Sequence, residues 1–230
     1  MLRRIPRIIG RNFRKFSLVH IPKRAFSEEL TKITDNLSKA LDAEIEHENE
    51  QVADPVELSS FLNETGWQCT AKLNSTKVEM TKTVGDTKLT ILFDARVDDS
   101  GLDEESGEKT EENDADEGID FLLFVDRGRP KQMLFECIST NTQIEISSIS
   151  VLPESSVEEI KKDKSSLFTK SFYAGPGFET LDEKLQEHIS SYFNSLGIND
   201  QLGSFIESKA FEHENDLYKN WLKEFKDAVN

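Results

Sequence analysis

The hydrophobic period of this chain changes twice, and that double change sharply limits the folds open to it. From about residue 66 to 173 apolar residues recur every second position; on either side they recur every three to four. Leu89, Ile91, Phe93, Ala95 and Val97 alternate with Lys88, Thr90, Asp94 and Arg96, as in a half-buried strand. Val78, Met80 and Val84 alternate in the same way. Phe121–Val125 is a continuous apolar run, the mark of a strand covered on both faces. Lys131–Ser139 and Gln143–Leu152 read as two more strands, joined by a tight turn at Thr140-Asn141-Thr142. Arg127-Gly128-Arg129-Pro130 reads as another turn. With Trp67–Leu73 and Leu167–Tyr173 the spacing predicts seven strands. No crossover helix separates any two neighbours, so adjacent strands should run antiparallel. The charged stretch 153–166 fits either a loop or a short helix.

The flanks are helical. Leu30, Ile33, Leu37, Leu41 and Ile45 form one apolar stripe over residues 28–47, with Ser27 as a candidate N-cap and Glu28 and Glu29 in the first turn. Residues 46–57 are polar and contain Asp54-Pro55, which predicts a helix end followed by a linker. After Gly175-Pro176-Gly177 a second stripe runs through Leu181, Leu185, Ile189, Tyr192/Phe193 and Leu196, closed by Gly197 at the position following the C-cap. Asn199 or Asp200 can cap a last helix carrying Leu202, Phe205, Ile206, Leu217, Trp221, Leu222 and Phe225. Helix, consecutive strands, helices: the layout is α+β. The terminal helices are the expected cover for the sheet. Phe211, Tyr218, Trp221 and Phe225 widen the apolar arc of the last helix beyond what one sheet face needs. Tyr218, Trp221, Leu222 and Phe225 are therefore expected at a contact with another subunit.

Charge divides the chain into regions. Residues 1–26 carry eight Lys and Arg and no acid, with Arg4, Arg7, Arg11, Arg14 and Lys15 on one helical face and Ile5, Ile8, Ile9, Phe13 and Phe16 on another. That is the pattern of a mitochondrial presequence. Arg24-Ala25-Phe26-Ser27 resembles a matrix-peptidase site, which places the cut near Phe26. Residues 27–230 then form a single acidic domain, with 20 Lys and Arg against 44 Asp and Glu, a net charge of −24 where the full chain has −16. Between the strands ending near Val97 and starting near Ile119 lies the densest run of acids: Asp98, Asp99, Asp103, Glu104, Glu105, Glu108, Glu111, Glu112, Asp114, Asp116 and Glu117. Residues 98–118 hold these eleven acids and one Lys, so the segment is expected to be a disordered insert and a polyanionic surface for basic partners. Such acidity argues against binding duplex nucleic acid, whose phosphates need Lys and Arg. No apolar run approaches the length of a membrane span.

The motifs that announce catalysis are absent. The chain has no phosphate-binding Gly-Lys loop, no dinucleotide fingerprint and no Gly-x-Ser-x-Gly elbow. His47-Glu48 and His213-Glu214 lack a second His four residues on. Cys69 and Cys137 are too few for a cysteine-rich zinc site. Read from Asp114, the acidic segment puts Gly118 at the fifth position and Val125 at the twelfth, which breaks the calcium-loop register. No catalytic residue, cofactor or metal is expected. The alternatives to a binding protein are a cation (calcium) buffer through loose binding in the acidic segment, or an enzyme whose acid/base pair no motif marks.

Four ordered motifs resemble one family. They are Tyr173-Ala174-Gly175-Pro176-Gly177-Phe178, Leu181-Asp182-Glu183-Lys184-Leu185-Gln186, Leu196-Gly197-Ile198-Asn199-Asp200-Gln201-Leu202, and Tyr218-x-x-Trp221-Leu222. Together they resemble the C-terminal signature of the mitochondrial acidic matrix proteins, also called the mitochondrial glycoprotein family. One departure is Ser195-Leu196-Gly197, where many relatives of that family carry an Arg before the glycine. The resemblance implies a doughnut-shaped homotrimer, each subunit a strongly twisted seven-stranded antiparallel sheet flanked by the terminal helices, with one acidic face. It also implies a non-enzymatic, chaperone-like matrix protein. Such a protein would bind basic matrix proteins, ribosomal proteins among them, and support mitochondrial ribosome assembly, translation and oxidative phosphorylation.

Overall fold

The computed structural model describes residues 26–50, 55–95, 118–164, 167 and 172–229. The presequence assigned to 1–26 lies outside them save for Phe26, and the acidic insert at 98–118 lies outside save for Gly118. The order of elements is α1 (Phe26–Glu50), α2 (Pro55–Thr65), β1 (Gln68–Ala71), β2 (Lys77–Val84), β3 (Thr87–Asp94), β4 (Ile119–Asp126), β5 (Lys131–Thr140), β6 (Gln143–Pro153) and α3 (Glu154–Lys162). A short 3-10 turn (Phe178–Thr180), α4 (Glu183–Ser195) and α5 (Asp200–Val229) complete it.

The strands form one antiparallel meander, β1-β2-β3-β4-β5-β6, each paired with its neighbour in sequence. The described residues thus hold six strands and not the expected seven. Of the seventh candidate, Leu167 is helical and Phe172 and Tyr173 are irregular; the residues between are not described. Gly177 makes a single bridge to Ser148 on the outer side of β6.

Alternation sorts the side chains into two layers. Val78, Met80, Leu89, Ile91, Phe93, Phe121, Leu123, Val125, Phe135 and Cys137 point to one face and are buried against Phe193, Leu202, Phe205, Ile206 and Ala210 of α4 and α5. Leu58, Phe61 and Leu62 of α2 pack on the same layer, with Phe61 stacked on Phe205 at 4.6 Å between ring centroids. Each fully buried Phe contributes roughly 1.5–3 kcal/mol of transfer free energy. On the opposite face Leu92, Leu122, Phe124, Leu134 and Leu152 pack against Val157 and Ile160 of α3. Two layers explain why β3 and β4 are apolar on both faces.

Two expectations change here. The sheet is covered by α2, α3, α4 and the first half of α5, whereas α1 lies along α5, where Leu41 is buried and Leu30, Ile33 and Leu37 remain exposed. The polar stretch 46–57 is not a plain linker: α1 continues to Glu50 and α2 begins at Pro55. Proline suits the first helical position because its missing N–H would have no intrahelical partner there.

Caps set the C-terminal pair. Asp182 Oδ1 accepts from the Lys184 N–H at 3.1 Å and starts α4. At its end Gly197 adopts φ +80°; its N–H donates to Asn194 O at 2.9 Å, and Ile198 N–H donates to Phe193 O at 3.3 Å. That is a Schellman closure, with Phe193 and Ile198 both buried in the same core. Asn199 Oδ1 accepts from Leu202 N–H at 3.2 Å and starts α5.

The β5–β6 turn, like that between β2 and β3, has two residues between paired positions. Asn141 and Thr142 both have positive φ, 52° and 70°, the geometry of a two-residue type I′ hairpin. A β-branched residue rarely adopts this conformation. Glu207 of α5 holds it there: its Oε1 accepts from Ser139 Oγ at 2.6 Å and from the Thr142 N–H at 2.9 Å. The helix can come this close because residue 203 is glycine. A Cβ there would overlap the Thr142 carbonyl oxygen and come within 2.9 Å of Ser139 Oγ.

Candidate functional site: an acidic sheet face and an aromatic helix surface

The register gathers scattered acids. Glu79 pairs with Leu92, Leu92 with Leu122, Leu122 with Glu136 and Glu136 with Ser148. Asp120 pairs with Ile138, and Ile138 with Glu145. Side chains at paired positions share a face. Glu79, Asp94, Asp120, Glu136 and Glu145 therefore lie on one side of the sheet, the side that also carries α3, which packs on Leu92 and Leu122 between Glu79 and Glu136 and whose end reaches Lys77 and Asp94. Strand directions bring all five toward one end, the end from which β3 leaves at Asp94 and to which β4 returns at Ile119. The eleven acids of 98–118 are joined at that same end, though their own placement lies outside the described residues.

Each acid on the sheet has its own setting. Asp94 is tied to Lys164 at 2.7 Å and accepts from Thr76 Oγ1 at 3.2 Å. Glu136 accepts from Ser148 Oγ at 2.6 Å. Glu79, Asp120 and Glu145 are exposed and make no ion pair among the described residues. Alternation places the acids singly, one or two per strand, so only the register reveals them as a patch.

The second surface is helical. Tyr218 Oη donates to Glu44 Oε1 at 3.2 Å, and Lys226 meets Asp42 at 2.5 Å, which ties α5 to α1. Tyr218, Trp221 and Phe225 stack in series, with ring centroids 6.0 Å and 5.3 Å apart. Trp221 is 52% exposed and Phe225 38%. Leu222, grouped with them from sequence, is different: at 2% exposure it is already packed inside the single chain and presents nothing to a partner. One residue of rotation along a helix is about 100°, enough to separate Leu222 from Trp221.

The remaining reactive groups are structural. His213 is buried and its Nε2 lies 2.8 Å from the Ser75 carbonyl, which can only accept, so that nitrogen carries the proton. Burial raises the thiol pKa of both Cys69 and Cys137, so both stay protonated at neutral pH. Among the described residues no group of three or more His, Cys, Asp or Glu side chains is arranged as metal ligands would be. Among them, too, no helix is long and apolar enough to cross a membrane.

A family model described as mitochondrial glycoprotein (MAM33) matches residues 41–229. The chain belongs to the mitochondrial glycoprotein family. Membership supports a mitochondrial and, in general, non-enzymatic protein, and agrees with the four motifs of the C-terminal half. Among solved structures, the chain is similar to a Leishmania major protein of unknown function described as a sequence homologue of human p32. The TM-score is 0.66 and the identity 17%, over 86% of this chain and 99% of that one. It is also similar to the Trypanosoma brucei p22 protein, with a TM-score of 0.63 and 19% identity, over 86% of this chain and 98% of that one. At such identities the likeness speaks for the fold, an antiparallel sheet flanked by helices.

Proposed function

We propose that this chain is a non-enzymatic acidic adaptor of the mitochondrial matrix that binds Lys- and Arg-rich proteins and works as a homotrimer. The observation that carries the reading is the convergence of Glu79, Asp94, Asp120, Glu136 and Glu145 on one sheet face, at the end joined to the eleven acids of 98–118. A field of that sign speeds the encounter with cationic partners and weakens with salt. Ribosomal proteins before assembly are the natural clients, which would link the protein to mitochondrial translation and, through it, to oxidative phosphorylation. The basic, acid-free residues 1–26 support delivery to the matrix. The exposed Trp221 and Phe225, with Leu30, Ile33 and Leu37, support a subunit contact through α1 and α5.

The test replaces residues 98–118 with a short Gly/Ser linker and titrates intact and shortened protein against a purified basic ribosomal protein at low and raised salt. The expected result is an unchanged fold, weaker binding and a flatter salt dependence, because charges beyond a Debye length of about 8 Å are screened at physiological salt. Binding that is absent at low salt, or insensitive to salt, overturns the acidic-adaptor reading. Binding of calcium ions by the isolated segment at micromolar concentration would favour cation buffering in its place.

A further inference from the structure

Among the described residues, part of one sheet edge is open. β6 ends the strand order, Gly175 and Gly177 lie along its outer side at Ile149 and Ser148, and no described strand pairs with that side at 143–147. In the two-residue hairpin Thr140 and Gln143 form a hydrogen-bonded pair, and such pairs alternate with non-bonded ones along an antiparallel ladder. Ile144, opposite Ser139, and Ile146, opposite Cys137, are therefore non-bonded positions, whose N–H and C=O groups point away from β5. Residues 143–147 present this edge over roughly 17 Å at about 3.4 Å per residue.

Beside the edge lies a groove of about 650 Å³, lined by β6, the 3-10 turn, α4 and the start of α5. Its accessible apolar part comes from the half-buried Ile144, Ile146 and Phe178 over a floor of buried Phe193 and Ile198, and its carboxylates from Glu179 and Asp200, while the Glu145 side chain lies on the opposite face of β6. A strand added here would put alternate residues beside Ile144 and Ile146, over the apolar part, and the residues between them beside Glu145.

We propose that the β6 edge and its groove bind an extended peptide segment of alternating apolar and basic residues, added to the sheet as a further antiparallel strand. The proposal rests on the acidic-adaptor reading and deepens it: Glu145 belongs to the acidic sheet face, and the β6 edge is where a basic segment would reach it. Charge decides among occupants. A second copy of β6 would bring its own Glu145 against this one, and like charges across a strand pair repel. A lysine or arginine there is attracted instead. Backbone hydrogen bonds supply affinity in such additions, and alternate side chains supply selectivity. The Glu207 clamp on Ser139 and Thr142 fixes the hairpin end, so the edge needs no ordering before it binds.

The probe is a nine-residue peptide alternating Lys and Val, with two partners: the same peptide N-methylated at alternate amides, and one with Glu in place of Lys. Fluorescence anisotropy on the full chain should show the Lys peptide binding at low salt. Methylation should weaken it at least tenfold, Glu145→Lys at least fivefold, and the Glu peptide should not bind. Amide exchange at Ile144 and Ile146 should slow when the Lys peptide is present. Equal binding of the methylated peptide, or unperturbed Ile144 and Ile146 amides, overturns the strand addition while leaving the adaptor reading intact. Slow exchange at these amides in the free protein, without peptide binding, means that another copy or segment already fills the edge and also overturns it. If neither the Lys peptide nor a basic ribosomal protein binds at low salt, the adaptor reading falls as well.

Discussion

Replacing Gly203 by alanine sets two effects of opposite sign against each other. Alanine is the better helix former by about 1 kcal/mol in a helix interior. Propensity alone therefore predicts a more stable protein. The structure predicts the reverse. A Cβ at 203 would overlap the Thr142 carbonyl oxygen and lie 3.0 Å from its carbon. These are backbone atoms of a turn already held at positive φ, so they cannot swing aside as a flexible side chain would. The helix has to retreat, and overpacking of this kind costs about 1–3 kcal/mol. Glu207 sits one helical turn further along, so the same retreat stretches its bonds to Ser139 Oγ and the Thr142 N–H, now 2.6 and 2.9 Å. Hydrogen bonds to a charged acceptor contribute about 1.5–3 kcal/mol each, and these two, being partly exposed, fall toward the low end. With about half of the pair's contribution lost on stretching, and the propensity gain set against the sum, the net loss is about 1.5–3.5 kcal/mol. In a domain of this size that lowers the melting temperature by roughly 3–14 °C. Urea titration and calorimetry on the same samples give both numbers. An equal or higher stability for Gly203→Ala would refute the close approach of α5 to the hairpin.

Other outcomes follow from single features. Thr142→Gly should stabilise the protein by about 1 kcal/mol, since glycine accepts φ +70° freely while a β-branched residue does not; a loss in urea midpoint would show that the turn is unstrained. Trp221→Ala should leave the melting of the isolated subunit within about 1 kcal/mol, because half the ring is already in water, but should lower the mass seen by light scattering; an unchanged mass removes Trp221 from the subunit contact. Thiol alkylation should reach the half-buried Cys69 well before the buried Cys137, and the Cys69 rate should still be climbing above pH 8.5, because burial raises both thiols and only the thiolate reacts; Cys137 reacting first would contradict the core assignment.

Much of the sheet was legible because its signal is local. Alternation over Leu89–Phe93 and the turn at Asn141-Thr142 need only adjacent residues to be read, and both are where the pattern puts them. Helix α2 was hidden by Asp54-Pro55, which reads as a break and is instead a start. Helix α3 has only Val157 and Ile160 buried among its charges, too few for a periodic stripe. The stripe of α1 is real, yet Leu30, Ile33 and Leu37 face outward: periodicity identifies an apolar face but not what covers it. The acidic patch belongs to a third kind of feature. Glu79 and Glu145 are 66 positions apart and meet on one face only through the register of four strand pairs. The one acid cluster readable without a sheet was the contiguous run at 98–118.

The meander also sets an order of assembly. Every strand from β2 to β6 pairs with the strand just before it, so the sheet can grow hairpin by hairpin as the chain is delivered from its N-terminus, with the connection 95–118 between β3 and β4 the one long loop to close. The helical cover cannot form that way. Ser139 waits 68 residues for Glu207, and Glu44 waits 174 for Tyr218. Until α5 arrives, the face carrying Phe93, Phe121 and Phe135 has lost its main cover, and a chain stopped before Asp200 would keep its strands and expose that face. A C-terminal truncation should therefore yield an aggregating species and not a smaller soluble one, and the last thirty residues should govern the yield of folded protein more than any strand does.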